Sequence, residues 1–144
     1  MSVYVDSSVL VRLVARQPRA LTNLGGLGQP VASTLIEVEV PRALELLRHA
    51  AKLTDNDAAT AAADARALLR RFALIEMDAP LRLRAAGPLG APLRSLDAVH
   101  LASALRWRDQ HPDEPLTFAT HDERLARAAQ ANGLTVIGWP ERRA

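Results

Sequence analysis

The chain has 144 residues, enough for one ordinary domain that buries about 68–70% of the surface its unfolded form exposes. Hydrophobic residues make up 49% of it and aromatics only 3%, so the core must be built from Leu, Val, Ile and Ala, and no run of aromatics is available to stack bases. With no cysteine, disulfides, iron–sulfur clusters, thiolate zinc sites and thiol catalysis are excluded, while a formal charge of +2 carried almost wholly by Arg, with Lys52 the only lysine, leans mildly toward a polyanionic partner.

The N-terminus runs straight into Val3-Tyr4-Val5 and Asp6 with no basic segment before a long apolar stretch, so neither a signal peptide nor a membrane span is expected, and the default location is the cytoplasm. Residues 2–5 read as a strand that stops at Asp6, followed by a helix on which Val9, Leu10, Leu13 and Val14 recur. The loop at residues 25–30 leads to a second strand beginning at Val31. Helices are predicted over 42–51 and, from Asp57 as cap, to Arg71. Between them and the second strand, residues 35–40 set Leu35, Glu37 and Glu39 against Ile36, Val38 and Val40. That is a strand-like period, followed by Pro41, which disrupts helix interiors.

A third strand is predicted at 74–77, then a short helix and the loop 87–92. Ser95 caps a helix carrying Leu96, Val99, Leu101, Ala102 and Leu105 that Pro112 ends. Residues 115–119 form the fourth strand, 122–131 the last helix, closed by Gly133, and 134–137 the last strand. Strands alternating with helices imply an α/β fold with a parallel sheet covered on both faces, whose ligands bind beyond the carboxyl ends of the strands.

Each acid near those ends has a plain structural explanation. Asp6 is a good helix cap, Asp97 lies in a first turn, and Thr120 with Glu123 has capping-box spacing that makes Asp122 another first-turn acid. Taken together they mean more, because a parallel sheet gathers these first turns along one edge. Carboxylates crowded there repel each other and raise the pKa of at least one unless a cation neutralises them. Hard oxygen ligands suit magnesium or manganese, and two such ions hydrolyse phosphodiesters without a protein nucleophile.

The segment Val3-Tyr4-Val5-Asp6-Ser7-Ser8 resembles the opening strand of PIN domains, and Leu96-Asp97-Ala98-Val99-His100-Leu101-Ala102-Ser103-Ala104 resembles their central acidic helix. Phe118-Ala119-Thr120-His121-Asp122-Glu123-Arg124-Leu125 is similar to the segment with their last acid, and residues 33–44 to the helix with their Glu. The likeness spans nearly the whole chain and is nearest to VapC-type toxins of type II toxin–antitoxin systems. It implies a single PIN-like domain over 1–144, a three-layer α/β/α fold with a mainly parallel sheet, and a ribonuclease that uses Mg²⁺ or Mn²⁺. The ion would be held chiefly by Asp6 and Asp97, with Glu39 and Asp122 completing a catalytic set of four. It further implies an RNA substrate, a small antitoxin partner and a homodimer, without a membrane. At residues 35–40 it selects the helix, with Glu39 rather than Glu37 at the site.

Ser7 and Ser8 offer hydroxyls to a phosphate or simply cap the helix. Thr120 resembles a residue that orients the last acid, and the capping box accounts for it equally. His100 shares a helical face with Asp97, which puts it within reach of the site, but reads more readily as a structural histidine; His49, His111 and His121 have no metal-ligand spacing with it, and Trp107 and Trp139 are isolated. Phosphohydrolase and receiver-type folds also carry acids at strand ends. Asp6 is followed by Ser7-Ser8 rather than a second Asp, however, and Lys52 is remote from the strand ends. No Walker sequence is present, and Gly25-Gly26-Leu27-Gly28 does not fit a dinucleotide fingerprint. A degenerate PIN-like binding module is the non-enzymatic alternative, and the presence of all four acids argues against it.

Overall fold

A computed structural model describes residues 1–140. Strands β1 (Ser2–Val5), β2 (Gln29–Ser33), β3 (Ala73–Ile75), β4 (Leu116–Ala119) and β5 (Thr135–Ile137) form one sheet in the order β3-β2-β1-β4-β5, and every pairing is parallel. Such strands are covered on both faces and read as short apolar runs. In β1 the side chains alternate between layers: Tyr4 packs with one helical layer, and Val3 and Val5 pack on the other side.

On the Tyr4 side lie α4 (Ala79–Ala86), α5 (Ser95–Gln110) and α6 (Glu123–Ala131), with Leu81, Leu101, Leu105 and Leu125 in one apolar cluster. On the other side lie α1 (Ser7–Val14), α2 (Ile36–His49) and α3 (Asp55–Leu69), joined through Leu10, Ile36, Val40, Leu44, Ala61 and Ala65. The architecture is the expected three-layer α/β/α arrangement. Residues 98–105 of α5 are all buried, which makes this helix the middle of its layer. Among the described residues no helix is long and apolar enough to cross a membrane.

Several boundaries differ from those the sequence suggests. Residues 24–27 form a single 3₁₀ turn, and β2 begins at Gln29. Helix α2 begins at Ile36, as the PIN resemblance implies, rather than at Arg42 as the periodicity suggests, and it carries Pro41 in its interior. Its buried residues Ile36, Val40 and Leu44 follow a four-residue spacing, whereas Val38, which a strand would place beside Ile36 and Val40, is 61% exposed. Burial along one helical stripe therefore outweighs both the local alternation and the proline. Helix α3 is capped by Thr54, which accepts the Asp57 N–H, rather than by Asp57, and Ser95 is the first helical residue of α5 rather than its cap.

The sheet order puts the topological switch between β1 and β4. Chains leaving these two strands diverge to opposite helical layers, which opens a crevice at their carboxyl ends. Asp6 follows β1 directly, and residues 120–122 follow β4.

Candidate active site

Asp6 is buried at the mouth of this crevice and caps α1. Its Oδ1 accepts from the Ser8 hydroxyl at 2.6 Å and the Val9 N–H at 3.3 Å, and its Oδ2 accepts from the Thr120 hydroxyl at 2.7 Å. These donors favour the ionised form, yet burial outweighs them and pushes the carboxyl above its ordinary range. Because a carboxylate oxygen can accept two bonds, Oδ2 retains capacity for another partner.

Thr120 is a junction. Its hydroxyl donates to Asp6 and accepts the Asp122 N–H at 3.0 Å, so β4's exit is tied to β1's. The expected capping box does not form: Asp122 itself caps α6, accepting the Leu125 N–H at 2.8 Å, and Glu123 pairs with Arg127. Ser8 extends the link by accepting the His121 N–H at 3.0 Å. Gly138 presses on the same turn from β5's end. A Cβ there would stand 2.5 Å from the Thr120 carbonyl oxygen, and its φ of +88° is a conformation that suits glycine.

Asp97 lies in the first turn of α5, half-buried. Loss of solvent raises its pKa most, and the negative charges of Asp122, Asp6 and Glu39 raise it further, while His100 opposes them. All four acids named from the sequence therefore share one electrostatic neighbourhood. Glu37 does not join them: it is exposed and lines an apolar cleft with Pro41, Leu44, Ala62, Leu69 and Leu74 on the α2–α3 side.

Glu39 reaches the site through a histidine. Its Oε1 is 2.5 Å from His100 Nε2, whose other nitrogen, Nδ1, is 2.9 Å from the Tyr4 hydroxyl, which in turn accepts the Ser33 N–H at 3.1 Å. An ionised Glu39 can only accept, so Nε2 carries a proton. Burial alone would lower the imidazole pKa, but the hydrogen bond and charge of Glu39, with Asp6 and Asp97 nearby, carry it above its ordinary value. Burial likewise holds the Tyr4 hydroxyl neutral by raising its pKa. The sequence offered His100 both as a site contact and, more readily, as a structural residue, and assigned no role to Tyr4 or Ser33. His100 lies on Asp97's helical face, which was the one available signal.

The donor set is all oxygen, hard and mutually repelling, and so suits a hard divalent cation. Among the described residues no three acidic or histidine side chains stand close enough together to hold a metal ion. The chemistry of the donors therefore fits a dication, and binding would require the carboxylates to draw together.

The PIN-domain family profile matches residues 3–131, a span that includes all four acids. Ribonuclease VapC46 of Mycobacterium tuberculosis is 34% identical over 139 residues, covering 94% of this chain and 96% of that protein. Ribonuclease VapC35 of the same species is 33% identical over 141 residues, covering 94% and 95%. Among solved structures, VapBC2 from Rickettsia felis, bound to a DNA fragment from its promoter, superposes with a TM-score of 0.65 at 14% identity, covering 95% of this chain and 98% of that one. PAE2754 from Pyrobaculum aerophilum gives 0.61 at 23% identity, covering 94% and 83%. At these identities the two structures speak for the fold alone.

Proposed function

This chain belongs to the PIN-domain family, and from that premise we propose that it is an endoribonuclease that hydrolyses RNA phosphodiester bonds, the toxin of a type II toxin–antitoxin pair. The observation that carries the reading is the acidic edge itself. Asp97 is pushed up first by burial and then by the charges of Asp122, Asp6 and Glu39, so in this reading the four acids form a site where charge is concentrated at a cost to the fold. Purely structural acids would be expected to pair with cations, as Asp78 does with Arg106.

In this reading Asp6 and Asp97 are the principal ligands of Mg²⁺ or Mn²⁺, and Glu39 and Asp122 complete the site. Such an ion, when bound, supplies a Lewis acid for the scissile phosphate. The chain's own residues do the positioning. Ser8 and Thr120 fix the Asp6 carboxylate, Thr120 holds the turn that presents Asp122, and His100 holds Glu39 toward the same crevice. A receiver or haloacid-dehalogenase reading lacks its lysine: Lys52 is exposed in the turn after α2, beyond a helix end that lies about 15 Å along the axis from Glu39.

Residues 1–144 are taken as one PIN-like domain, a reading supported by the single five-stranded sheet that the two helical layers cover. The partner proposed is a small antitoxin protein, and the location the cytoplasm, where the RNA target would be met. The test is incubation of the purified chain with labelled RNA, with Mn²⁺ and with a chelator, beside Asp97→Asn. Cleavage that needs the ion and Asp97 is expected; cleavage indifferent to both would overturn the site.

A further inference from the structure

A cleft of about 430 Å³ lies between the loop that enters α5 and the outer face of α6, the two helices whose N-terminal ends carry Asp97 and Asp122. Ala91, Pro92 and Leu93 give it an apolar side; Arg124 and Arg127 give it a cationic one. Both walls lead directly into the acids. Leu93 is four residues before Asp97, and Arg124 is two residues after Asp122, the acid whose charge Asp97 feels most.

The two arginines are not equivalent. Arg127 is committed, ion-paired with Glu123 at 2.9 Å and lying over the Trp139 ring at 5.2 Å. Arg124 is exposed and has no ion pair or hydrogen bond among the described residues. An unpaired guanidinium two residues from Asp122 is matched to a ligand with its own negative charge, because it forks onto phosphate oxygens and cannot be deprotonated. An apolar wall opposite suits the sugar and base of the same residue. The volume falls within the range of small-ligand pockets, about 300–1,000 Å³.

We propose that this cleft is a nucleotide subsite for single-stranded RNA, in which Arg124 holds the phosphate adjoining the scissile one and the 91–93 loop packs against that nucleotide. The inference rests on the ribonuclease reading above and adds to it the place where substrate is gripped. Arg124 contributes binding that is the same in ground and transition states, so its removal raises KM and spares kcat.

Steady-state cleavage of a short fluorescent single-stranded RNA, measured across a range of salt at fixed Mn²⁺, tests this. Arg124→Ala should raise KM about fivefold near 0.1 M salt and flatten the slope of log KM against log salt by about 0.7, the value for one phosphate contact on a single strand. Its kcat should stay within about twofold. Arg124→Lys should keep the salt slope. Ala91→Trp, which fills the apolar side without touching charge, should raise KM with the slope unchanged. Arg70→Ala, on the opposite helical layer, controls for loss of any one cation, and melting curves establish that each variant is folded. If the parent cleaves RNA while Arg124→Ala leaves KM and slope unchanged, the subsite is wrong and the ribonuclease reading stands. If Arg124→Ala acts but Ala91→Trp does not, charge steering operates without a subsite and the proposal also fails. A parent that cleaves no RNA removes both.

Discussion

Glu39 and His100 meet at 2.5 Å, a contact between α2 and α5 that crosses 61 residues of sequence and brings the second acid to the same edge as Asp6 and Asp97. Glu37, two residues earlier, is turned about 160° away around the helix and is exposed. Glu39→Gln is accordingly expected to lower ribonuclease activity about a hundredfold or more, and Glu37→Gln only a few-fold. His100→Asn should fall between, with a loss of about 10–100-fold, because it acts on Glu39's position rather than on substrate. Rates at matched Mn²⁺, with folding checked by circular dichroism, decide the matter. Equal losses for the two glutamine variants would mean that both side chains serve the site.

Thr120 carries the second prediction. Its hydroxyl serves two groups 116 residues apart in sequence, the Asp6 carboxylate and the Asp122 N–H. Thr120→Val keeps the shape and removes both bonds, leaving a buried carboxylate short of a donor; a stability loss of about 1–3 kcal/mol is expected. Thr120→Ser should recover most of it. Urea denaturation reads the difference, and an unchanged midpoint for the valine variant would show that Asp6 is held by Ser8 and Val9 alone.

The strands and their order of alternation with helices were legible because each strand is a short apolar run with a breaker beside it, as at residues 2–5 before Asp6 and 116–119 before Thr120. The start of α2 was legible only through the PIN resemblance. Residues 35–40 satisfy a two-residue period locally, and the packing of Ile36, Val40 and Leu44 against Leu10 and α3 is what makes the helix win. The acids at strand ends could be named from sequence because a parallel sheet fixes where strand ends go. The supports behind them could not. Tyr4 and His100 are 96 residues apart, Thr120 and Asp6 are 114 apart, and no local pattern ties such pairs together. Thr120 also had a competing local role, the capping box with Glu123, which the structure gives to Asp122 instead.

Assembly is the third prediction. The α2–α3 cleft is lined by Leu44, Leu69, Phe72 and Leu74, and on other faces of α2 Leu46 and Val38 leave 63% and 61% of their surface exposed. Apolar side chains left exposed on a helix favour a protein contact. A homodimer is expected in light scattering at micromolar concentration, and Leu46→Glu should shift it toward monomer. A parent that remains monomeric at the highest soluble concentration would overturn the expectation.

The last prediction follows from Asp97, where two effects oppose each other in the metal-free protein. A negative charge in the first turn of α5 is favoured by the helix dipole, by about 0.3–1 kcal/mol at exposed sites. Lost hydration and the charges of Asp122, Asp6 and Glu39 disfavour it, and they win, since the carboxyl titrates above its ordinary range. A group whose folded pKa is raised lends stability below its unfolded pKa, and that stability is lost as pH rises through the folded value. Near neutral pH the ionised Asp97 therefore costs stability. Asp97→Asn should melt higher than the parent in chelator at pH about 7, and the gap should close as pH falls through the raised folded pKa, where the parent's carboxyl takes up its proton. Divalent ion should reverse the order. Mn²⁺ at a hundredfold excess over its Kd should stabilise the parent by about 2.7 kcal/mol, and a variant lacking a principal ligand should gain little. Melting curves of both proteins, with chelator and with Mn²⁺, across this pH range supply all four comparisons. If Asp97→Asn melts lower than the parent in chelator at neutral pH, the carboxylate is paid for locally by the helix and the crowding argument fails; if both proteins gain equally from Mn²⁺, the ion binds away from Asp97.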